Sequence, residues 1–151
     1  MYGRTPLIMA VKAGHTRVAS LILQRGADWN LGDNSLNTPL HYAAAFGWID
    51  CLELLLKAGA DINAENIWKI TPIQIAMLKN RKQCIKRLLE LDGVKVNCTD
   101  LTGRTLLSVT LFHINQITLE LVEKIIDIGG DPKLADLQGN TPMHYLAFYF
   151  E

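Results

Sequence analysis

The apolar residues of this chain recur in short blocks, and each block has the spacing of an amphipathic helix. In the most regular stretch, small apolar residues predict a first helix from Pro39 to about Phe46. Leucines at helical spacing then predict a second helix from roughly Ile49 to Lys57. Gly47 and Gly59 follow the two blocks, where glycine most easily adopts the left-handed conformation that ends a helix. The pattern therefore predicts a helix–turn–helix unit.

Two motifs repeat along the chain at nearly constant intervals. A threonine, followed in most copies by proline, occurs five times with spacings of 33, 33, 34 and 36 residues. Its hydroxyl can cap a backbone N–H, and proline suits the first helical position because no donor is needed there. A glycine-led turn recurs with the same period. The threonines are Thr5, Thr38, Thr71, Thr105 and Thr141, and the glycines are Gly26, Gly59, Gly93 and Gly129.

These motifs resemble the ankyrin-repeat pattern, most fully from Thr38 to Asn63, where Thr-Pro-Leu-His precedes Gly-Ala-Asp-Ile-Asn. The resemblance implies an all-α fold, an ankyrin-repeat solenoid of stacked helix–turn–helix units with β-turn fingers. It covers nearly all 151 residues and predicts one ankyrin-repeat domain. The expected repeats are approximately 1–32, 33–65, 66–99 and 100–135, with a partial repeat at 136–151.

The third and fourth repeats depart from the family pattern. Lys69 stands where the family has glycine, and Gln74 replaces the histidine of the motif. The fourth copy, Thr105-Leu106, lacks proline, and extra residues around 114–118 predict a longer loop between its helices or an extended first helix. Because a repeat array normally closes with polar capping repeats, the apolar end of the sequence leads us to expect a segment of a longer protein.

Composition and charge narrow the function classes. The 15 Lys and Arg residues balance 15 Asp and Glu residues, and a net charge of zero disfavours nucleic acid as a partner. No apolar stretch is long enough to predict a membrane span. The three cysteines include no C-x-x-C pair and fit neither a disulfide framework nor a zinc site. They favour an intracellular location, cytoplasmic or nuclear, and Cys51 and Cys84 are expected to be buried.

No motif for catalysis or cofactor binding is present, so we expect no enzymatic activity, no cofactor and no metal in this segment. The resemblance implies that His41 and His144, in the Thr-Pro-x-His motif, hydrogen-bond between neighbouring turns. Asp28 and Asp61 are expected to bond their own backbone. The resemblance also suggests asparaginyl hydroxylation, with a purely structural role as the alternative. The asparagines concerned are Asn30, Asn63 and Asn97.

The resemblance implies a protein or peptide partner, held by the fingers and by the exposed face of the first helices, which line a concave groove. Trp68 and Phe112 are notable because aromatic anchors are frequent binding hot spots. The alternative for Trp68 is packing on a neighbouring finger, and we expect Trp29 and Trp48 to pack between repeats. Candidate finger residues are Asn34, Ser35, Asn37, Ile67, Trp68, Ile70, Leu101, Thr102, Arg104, Leu137, Gln138 and Asn140, and candidate helix residues are Phe46, Lys79, Phe112 and His113.

A cationic run lies in the third repeat and has two interpretations. It is either the solvated outer face of that repeat's second helix or a patch for an acidic partner, a phosphoinositide or nucleic acid. The basic residues of this cationic run are Lys79, Arg81, Lys82, Lys86 and Arg87.

Our first hypothesis is a monomeric, non-enzymatic protein–protein interaction module. The alternative is a regulatory or targeting ankyrin domain of a larger enzyme or channel, such as an ADP-ribosyl transferase, a kinase, a ubiquitin ligase or a cation channel, whose catalysis lies outside this segment. A third hypothesis is binding of a small ligand or a lipid headgroup through the cationic run.

Overall fold

The computed structural model describes residues 3–112 and 119–147, and the chain divides into two compact units, Met1–Glu90 (unit 1) and Leu91–Glu151 (unit 2). Every regular element within those residues is a helix, in agreement with the predicted all-α class. Unit 1 contains α1 (Pro6–Lys12), α2 (Thr16–Gln24), α3 (Pro39–Phe46), α4 (Ile49–Ala58), α5 (Pro72–Leu78) and α6 (Lys82–Leu89). The described part of unit 2 contains α7 (Leu106–Phe112), α8 (Leu119–Asp127) and α9 (Pro142–Ala147).

The Thr-Pro motifs start the first helix of each pair, as the sequence predicts. In α3 the backbone N–H of Thr38 donates to Nδ1 of His41 over 3.1 Å. In α5 the N–H of Thr71 donates to Oε1 of Gln74 over 2.9 Å. Gln74 therefore takes over the capping role of the histidine that it replaces, so this departure from the family pattern leaves the helix start intact.

In unit 1 the helices form two layers. The first helices α1, α3 and α5 pack side by side, and the second helices α2, α4 and α6 pack behind them. Ala43, Ala44 and Ala76 are fully buried between neighbouring first helices, where small side chains permit close packing. Cys51 and Cys84 are also fully buried, which confirms the expectation from their position in the repeat.

Tryptophans join adjacent repeats of unit 1. Nε1 of Trp48 donates to the carbonyl oxygen of Lys12 over 3.2 Å, and the indole covers Gly14 closely enough that an added Cβ would lie 3.0 Å from the ring. Trp29 lies 3.9 Å from the corresponding Cβ position of Gly59. The prediction that Trp29 and Trp48 pack between repeats is confirmed.

Four turns project from the helix pairs, and we call residues 33–37, 66–70, 100–104 and 136–140 the fingers. Each begins with an Asp or Asn whose Oδ1 accepts the backbone N–H groups two and four residues later. One backbone hydrogen bond joins the two fingers of each unit. It runs from Ile67 to Ser35 over 3.0 Å in unit 1, and from Leu137 to Thr102 over 3.0 Å in unit 2.

In unit 2, α7 packs against both α8 and α9. Its core includes Leu106, Leu107 and Ile125, each at most 1% exposed. α7 forms although Leu106 replaces the usual proline, because the Oγ1 of Thr105 still accepts the backbone N–H of Ser108 over 3.3 Å. The predicted longer loop or extended helix around 114–118 lies outside the described residues, and the repeat boundaries stay a prediction.

Candidate functional site

An apolar cleft of about 210 Å³ opens between α3 and α5 of unit 1. Three residues predicted from the sequence to bind a partner, Asn37, Phe46 and Lys79, line it together. Its floor and walls are mostly hydrocarbon, while Lys79 supplies the positive charge at its edge. The remaining lining residues are His41, Tyr42, Ala45, Ile75 and Leu78.

Helical spacing places these side chains on the outward face. Ala43 and Ala44 of α3 are buried in the core of unit 1, whereas Tyr42, Ala45 and Phe46 lie on the other face of the helix and line the cleft. Gly47 ends α3 immediately afterwards with a φ of 78°, a left-handed conformation that glycine adopts without strain. Phe46 therefore lies at the open end of the cleft and is 40% exposed.

His41 forms part of the cleft and connects two repeats. Because Nδ1 accepts the N–H of Thr38, the second ring nitrogen carries the proton and donates to the carbonyl oxygen of Ile70 over 2.9 Å. Burial lowers the pKa of His41, and the neighbouring carbonyl groups and carboxylates of Asp33 and Asp61 offset only part of that effect. His41 is thus a neutral structural residue, as the resemblance implied.

Tyr42 connects the cleft to the first finger. Its hydroxyl donates to Oδ2 of Asp33 over 2.7 Å and accepts from Nε of Arg4 over 3.1 Å. Burial and the Asp33 carboxylate raise the pKa of Tyr42. Burial alone would raise the pKa of Asp33, but hydrogen bonds from Tyr42, Asn37 and Ser35 outweigh it and lower that pKa. The ring of Tyr42 stacks on Phe46 with centroids 6.5 Å apart, which supports the aromatic wall.

The fingers of unit 1 hold the other candidates. Asn37 and Ser35 accept hydrogen bonds from the second finger, through Nδ2 of Asn66 at 3.0 Å and the N–H of Ile67. Asn34 is exposed. Ile70 is partly buried, and its carbonyl oxygen accepts a hydrogen bond from His41. The two apolar residues at the tip of the second finger, Ile67 and Trp68, are each 47% exposed.

Unit 2 presents a second set of candidates. Arg104 pairs with Asp100 over 2.9 Å inside its own finger, and Phe112 contacts Tyr145 edge to face with centroids 5.9 Å apart. Leu137 is the most exposed of the large apolar side chains described, at 79%. Leu101, Thr102 and Gln138 are exposed, and Asn140 is partly buried. His113 lies outside the described residues.

The predicted solvated face of the second helix holds for Lys82 and Lys86 but not for the whole cationic run. Lys79 caps the end of α5, and Arg81 precedes α6 and donates from Nε to the carbonyl oxygen of Ala45 over 2.9 Å. Arg87 forms an ion pair with Glu53 of α4. Lys82 and Lys86 are exposed and, four residues apart on α6, share a face. The run therefore divides among the cleft, an inter-repeat contact and an exposed pair of lysines.

The glycine-led turns use their polar residues structurally. Oδ1 of Asn30 accepts the N–H of Asp61 over 2.9 Å, and Oδ1 of Asn97 accepts the N–H of Asp131 over 2.9 Å. Asp28 and Asp61 each accept the N–H two residues later, as predicted. These bonds support a structural role for Asn30 and Asn97, and they leave hydroxylation untested. Asn63 donates its own N–H to Asp61.

The described residues contain no cluster of His, Cys, Asp or Glu suited to a metal ion. Within the same part of the chain, no helix has the length and apolarity required to cross a membrane. The cleft offers apolar contact at its walls, an ammonium group at its edge and an amide at Asn37.

Five cleft residues were not predicted from the sequence to bind a partner: His41, Tyr42, Ala45, Ile75 and Leu78. A signal was present, because Ile75 occupies the position of Tyr42 one period later, and Leu78 that of Ala45. The same register already linked Phe46 to Lys79. Residues one helical turn before Phe46 and Lys79 lie on the same helix face, so this register also indicates the other helix residues that line the cleft.

Comparison with known proteins agrees with this architecture. A family profile described as "Ankyrin repeats (3 copies)" matches residues 2–66. Inversin from dog (Canis lupus familiaris) is 30% identical over 147 residues, which cover 97% of this chain and 13% of the dog protein. Human Inversin is 29% identical and mouse Inversin 30%, and in each case the match covers 97% of this chain and 14% of the relative. The chain thus spans a small fraction of these relatives. Given the profile match, the relatives and the periodic helix pairs, residues 2–66 are ankyrin repeats, and the helix pairs described beyond them follow the same pattern.

Proposed function

We propose that this chain binds a protein or peptide partner through the cleft between α3 and α5 and through the fingers beside it. Ankyrin-repeat domains are generally protein-interaction modules and are generally not catalytic. The observation that carries the proposal is the meeting of Phe46, Lys79 and Asn37 in one apolar cleft. Concave apolar sites with a few convergent polar groups are typical binding sites.

Exposed aromatic residues in the cleft and on the second finger support this location. Phe46 is 40% exposed and Trp68 is 47% exposed, although both are large and apolar. Exposing such side chains to water is unfavourable, and burying them against a partner lowers the free energy of the complex. Aromatic anchors of this kind commonly contribute about 2 kcal/mol or more to an interface.

The test compares partner capture by the full chain with capture by Phe46→Ser and Trp68→Ser variants. A matched control is Leu31→Ser, because Leu31 is 55% exposed and does not line the cleft. We expect affinity for the captured partner to fall about thirtyfold in the two site variants, corresponding to about 2 kcal/mol. The control should bind normally. Equal binding by all four proteins would exclude the cleft and the fingers as the site.

A second function is favoured by the coverage of the relatives. Because the match spans only 13% of dog Inversin, we propose that this chain is a targeting or regulatory region of a longer protein, acting by the same contacts. The free, buried thiols of Cys51 and Cys84 support our proposal of a reducing intracellular location. We further propose that the module is monomeric, with the cleft available to a different protein.

A further inference from the structure

The formal charge of zero conceals two oppositely charged units. Unit 1 carries eleven Lys and Arg residues against seven Asp and Glu residues, whereas unit 2 carries four against eight. The formal charge is therefore +4 on unit 1 and −4 on unit 2. A partner of unit 1 meets a positive surface, although the whole chain is neutral.

Within unit 1 the carboxylates are unevenly placed. Asp33 is the one acidic residue in the segments that form the first helices and fingers, 3–13, 33–47 and 66–80. It is only 7% exposed, and its oxygens already accept hydrogen bonds from Ser35, Asn37 and Tyr42. The six other acidic residues belong to the second helices and the loops after them. They are Asp28, Asp50, Glu53, Asp61, Glu65 and Glu90.

Besides Arg4, which bonds the Tyr42 hydroxyl, these segments carry three cations. Lys12 ends α1, Lys69 lies in the second finger and Lys79 caps α5 at the cleft. None of the three makes an ion pair with any described residue. Their charges remain available to a ligand, and the adjacent apolar walls of the cleft lower the local dielectric and strengthen attraction to an anion.

We propose that the partner segment bound by unit 1 is an acidic peptide with one aliphatic or aromatic anchor residue. This inference rests on the proposed function and deepens it. The anchor enters the cleft between Phe46 and Leu78, and an Asp or Glu beside it meets the ammonium group of Lys79. A second acidic residue farther along meets Lys12.

The spacing of such a peptide follows from the helix packing. Adjacent packed helices lie about 8–10 Å apart. An extended peptide that crosses α1, α3 and α5 advances about 3.3 Å per residue, so neighbouring helices correspond to about three residues. We therefore expect the carboxylates that face Lys12 and Lys79 to be about six residues apart, with the anchor next to the second carboxylate.

The experiment selects peptides from a random display library on the full 151-residue chain. Binders are retained only if they lose affinity for the Phe46→Ser variant, whose fold is checked by circular dichroism and thermal melting. We expect the retained peptides to be enriched in Asp and Glu beside one large apolar residue. Retained peptides that are neutral or basic would overturn this inference and leave the proposed function standing.

The affinity of the strongest peptide is then measured against charge variants. Lys79→Glu should weaken binding about tenfold or more, because like charges then face each other. A peptide in which the paired acidic residue is changed to Arg should recover affinity for Lys79→Glu, which a merely structural lysine would not permit. Lys57→Glu, on α4 and outside the cleft, changes the net charge equally and should bind almost normally.

Three further outcomes distinguish the failures. If no selected peptide depends on Phe46, the proposed function fails together with this inference. If binding survives Lys79→Glu unchanged but is lost in Phe46→Ser, the cleft is a binding site and the acidic specificity is wrong. Capture of anionic vesicles that Lys79→Glu abolishes, with no acidic peptide selected, would assign the positive face to a membrane surface and also overturn the inference.

Discussion

The second ring nitrogen of His41, Nε2, lies 2.9 Å from the carbonyl oxygen of Ile70 and ties the start of α3 to the second finger. The first ring nitrogen accepts the N–H of Thr38, so both nitrogens of the neutral ring are satisfied. Protonation would turn Nδ1 into a donor, which can face the Oγ1 of Thr38 but can no longer accept the Thr38 N–H. The bond from the Thr38 N–H therefore depends on a neutral imidazole, whereas Nε2 can donate to Ile70 in either form.

Unit 1 should lose stability as the solution is acidified through the titration of His41. Burial lowers the folded-state pKa below the ordinary value of 6.5, so the unfolded chain binds the proton first. The contribution of the neutral ring is complete above pH 6.5 and is lost as the pH falls toward the folded-state pKa. We predict that His41→Gln, which copies Gln74, costs about 1 kcal/mol at pH 7.5 and less at pH 5.

Urea unfolding of both proteins across this pH range provides the measurement. The other three histidines are present in both chains, so the difference between the two curves reports His41 alone. Parallel curves would show that the folded protein does not distinguish the two protonation states of this ring.

Much of this architecture follows from helix-start and helix-end signals that can be recognised in the sequence. The bounds of α3 match the prediction, because Thr38-Pro39 starts a helix and Gly47 ends it whatever the neighbours do. The repeat period of 33 residues also places Phe46 and Lys79 at equivalent positions of successive repeats. Local signals of this kind act within one turn of chain and need no knowledge of packing.

The cleft itself and the division of the cationic run depend on contacts between repeats. Arg87 meets Glu53, and Arg81 meets the Ala45 carbonyl, across 34 and 36 residues of sequence. A run of basic residues in the sequence shows that cations are present. It does not show which of them form ion pairs or hydrogen bonds with a neighbouring repeat. Likewise, the sequence does not show whether Ile75 and Leu78 are core or surface residues. That depends on which face of α5 the next helix packs against.

Gly103 and Gly139 form a matched pair for testing how the fingers pack. Both have a φ of 82° at the same finger position. A Cβ on Gly103 would lie 2.8 Å from the backbone nitrogen of Leu137, whereas a Cβ on Gly139 would meet no atom within 4 Å. Each alanine substitution therefore costs the left-handed strain, about 1 kcal/mol, and Gly103→Ala also pushes the two fingers of unit 2 apart.

We predict that Gly103→Ala destabilises the protein by about 1 kcal/mol more than Gly139→Ala, because the hydrogen bond from Leu137 to Thr102 is strained. Chemical denaturation of the two variants measures the difference. Amide hydrogen exchange at Leu137 should accelerate in Gly103→Ala alone. Equal losses of stability would mean that the fingers move apart without cost.

Lys69 should be replaceable by glycine with a gain in stability. It has a φ of 57° at the position where the two fingers of unit 2 have glycine, and this conformation is strained for a side chain with a Cβ. Relief of about 1 kcal/mol is partly offset by the greater freedom of glycine in the unfolded chain. We predict a net gain of about 0.5 kcal/mol for Lys69→Gly by urea denaturation. Lys69→Ala keeps the strained backbone and serves as the control, so an equal gain there would refute this explanation.

The hydroxyl of Tyr42 should stabilise unit 1 independently of the cleft wall. It donates to Asp33 and accepts from Arg4, whereas its ring stacks on Phe46. Tyr42→Phe removes the first two interactions and retains the third. We predict a loss of about 1 kcal/mol at neutral pH. Binding of a cleft ligand should change little, while Tyr42→Ala should weaken it by removing the aromatic wall.

Acidification provides the control for this assignment. Burial alone would raise the pKa of Asp33, but hydrogen bonds from Tyr42, Asn37 and Ser35 lower it below the ordinary 3.8. The carboxylate's contribution is therefore complete above that pH and declines as the pH falls through the folded-state pKa. The stability difference between wild type and Tyr42→Phe should shrink below pH 3.8, because protonated Asp33 no longer offers Tyr42 a charged acceptor. A difference that stayed constant on acidification would place the effect of the hydroxyl on Arg4 instead.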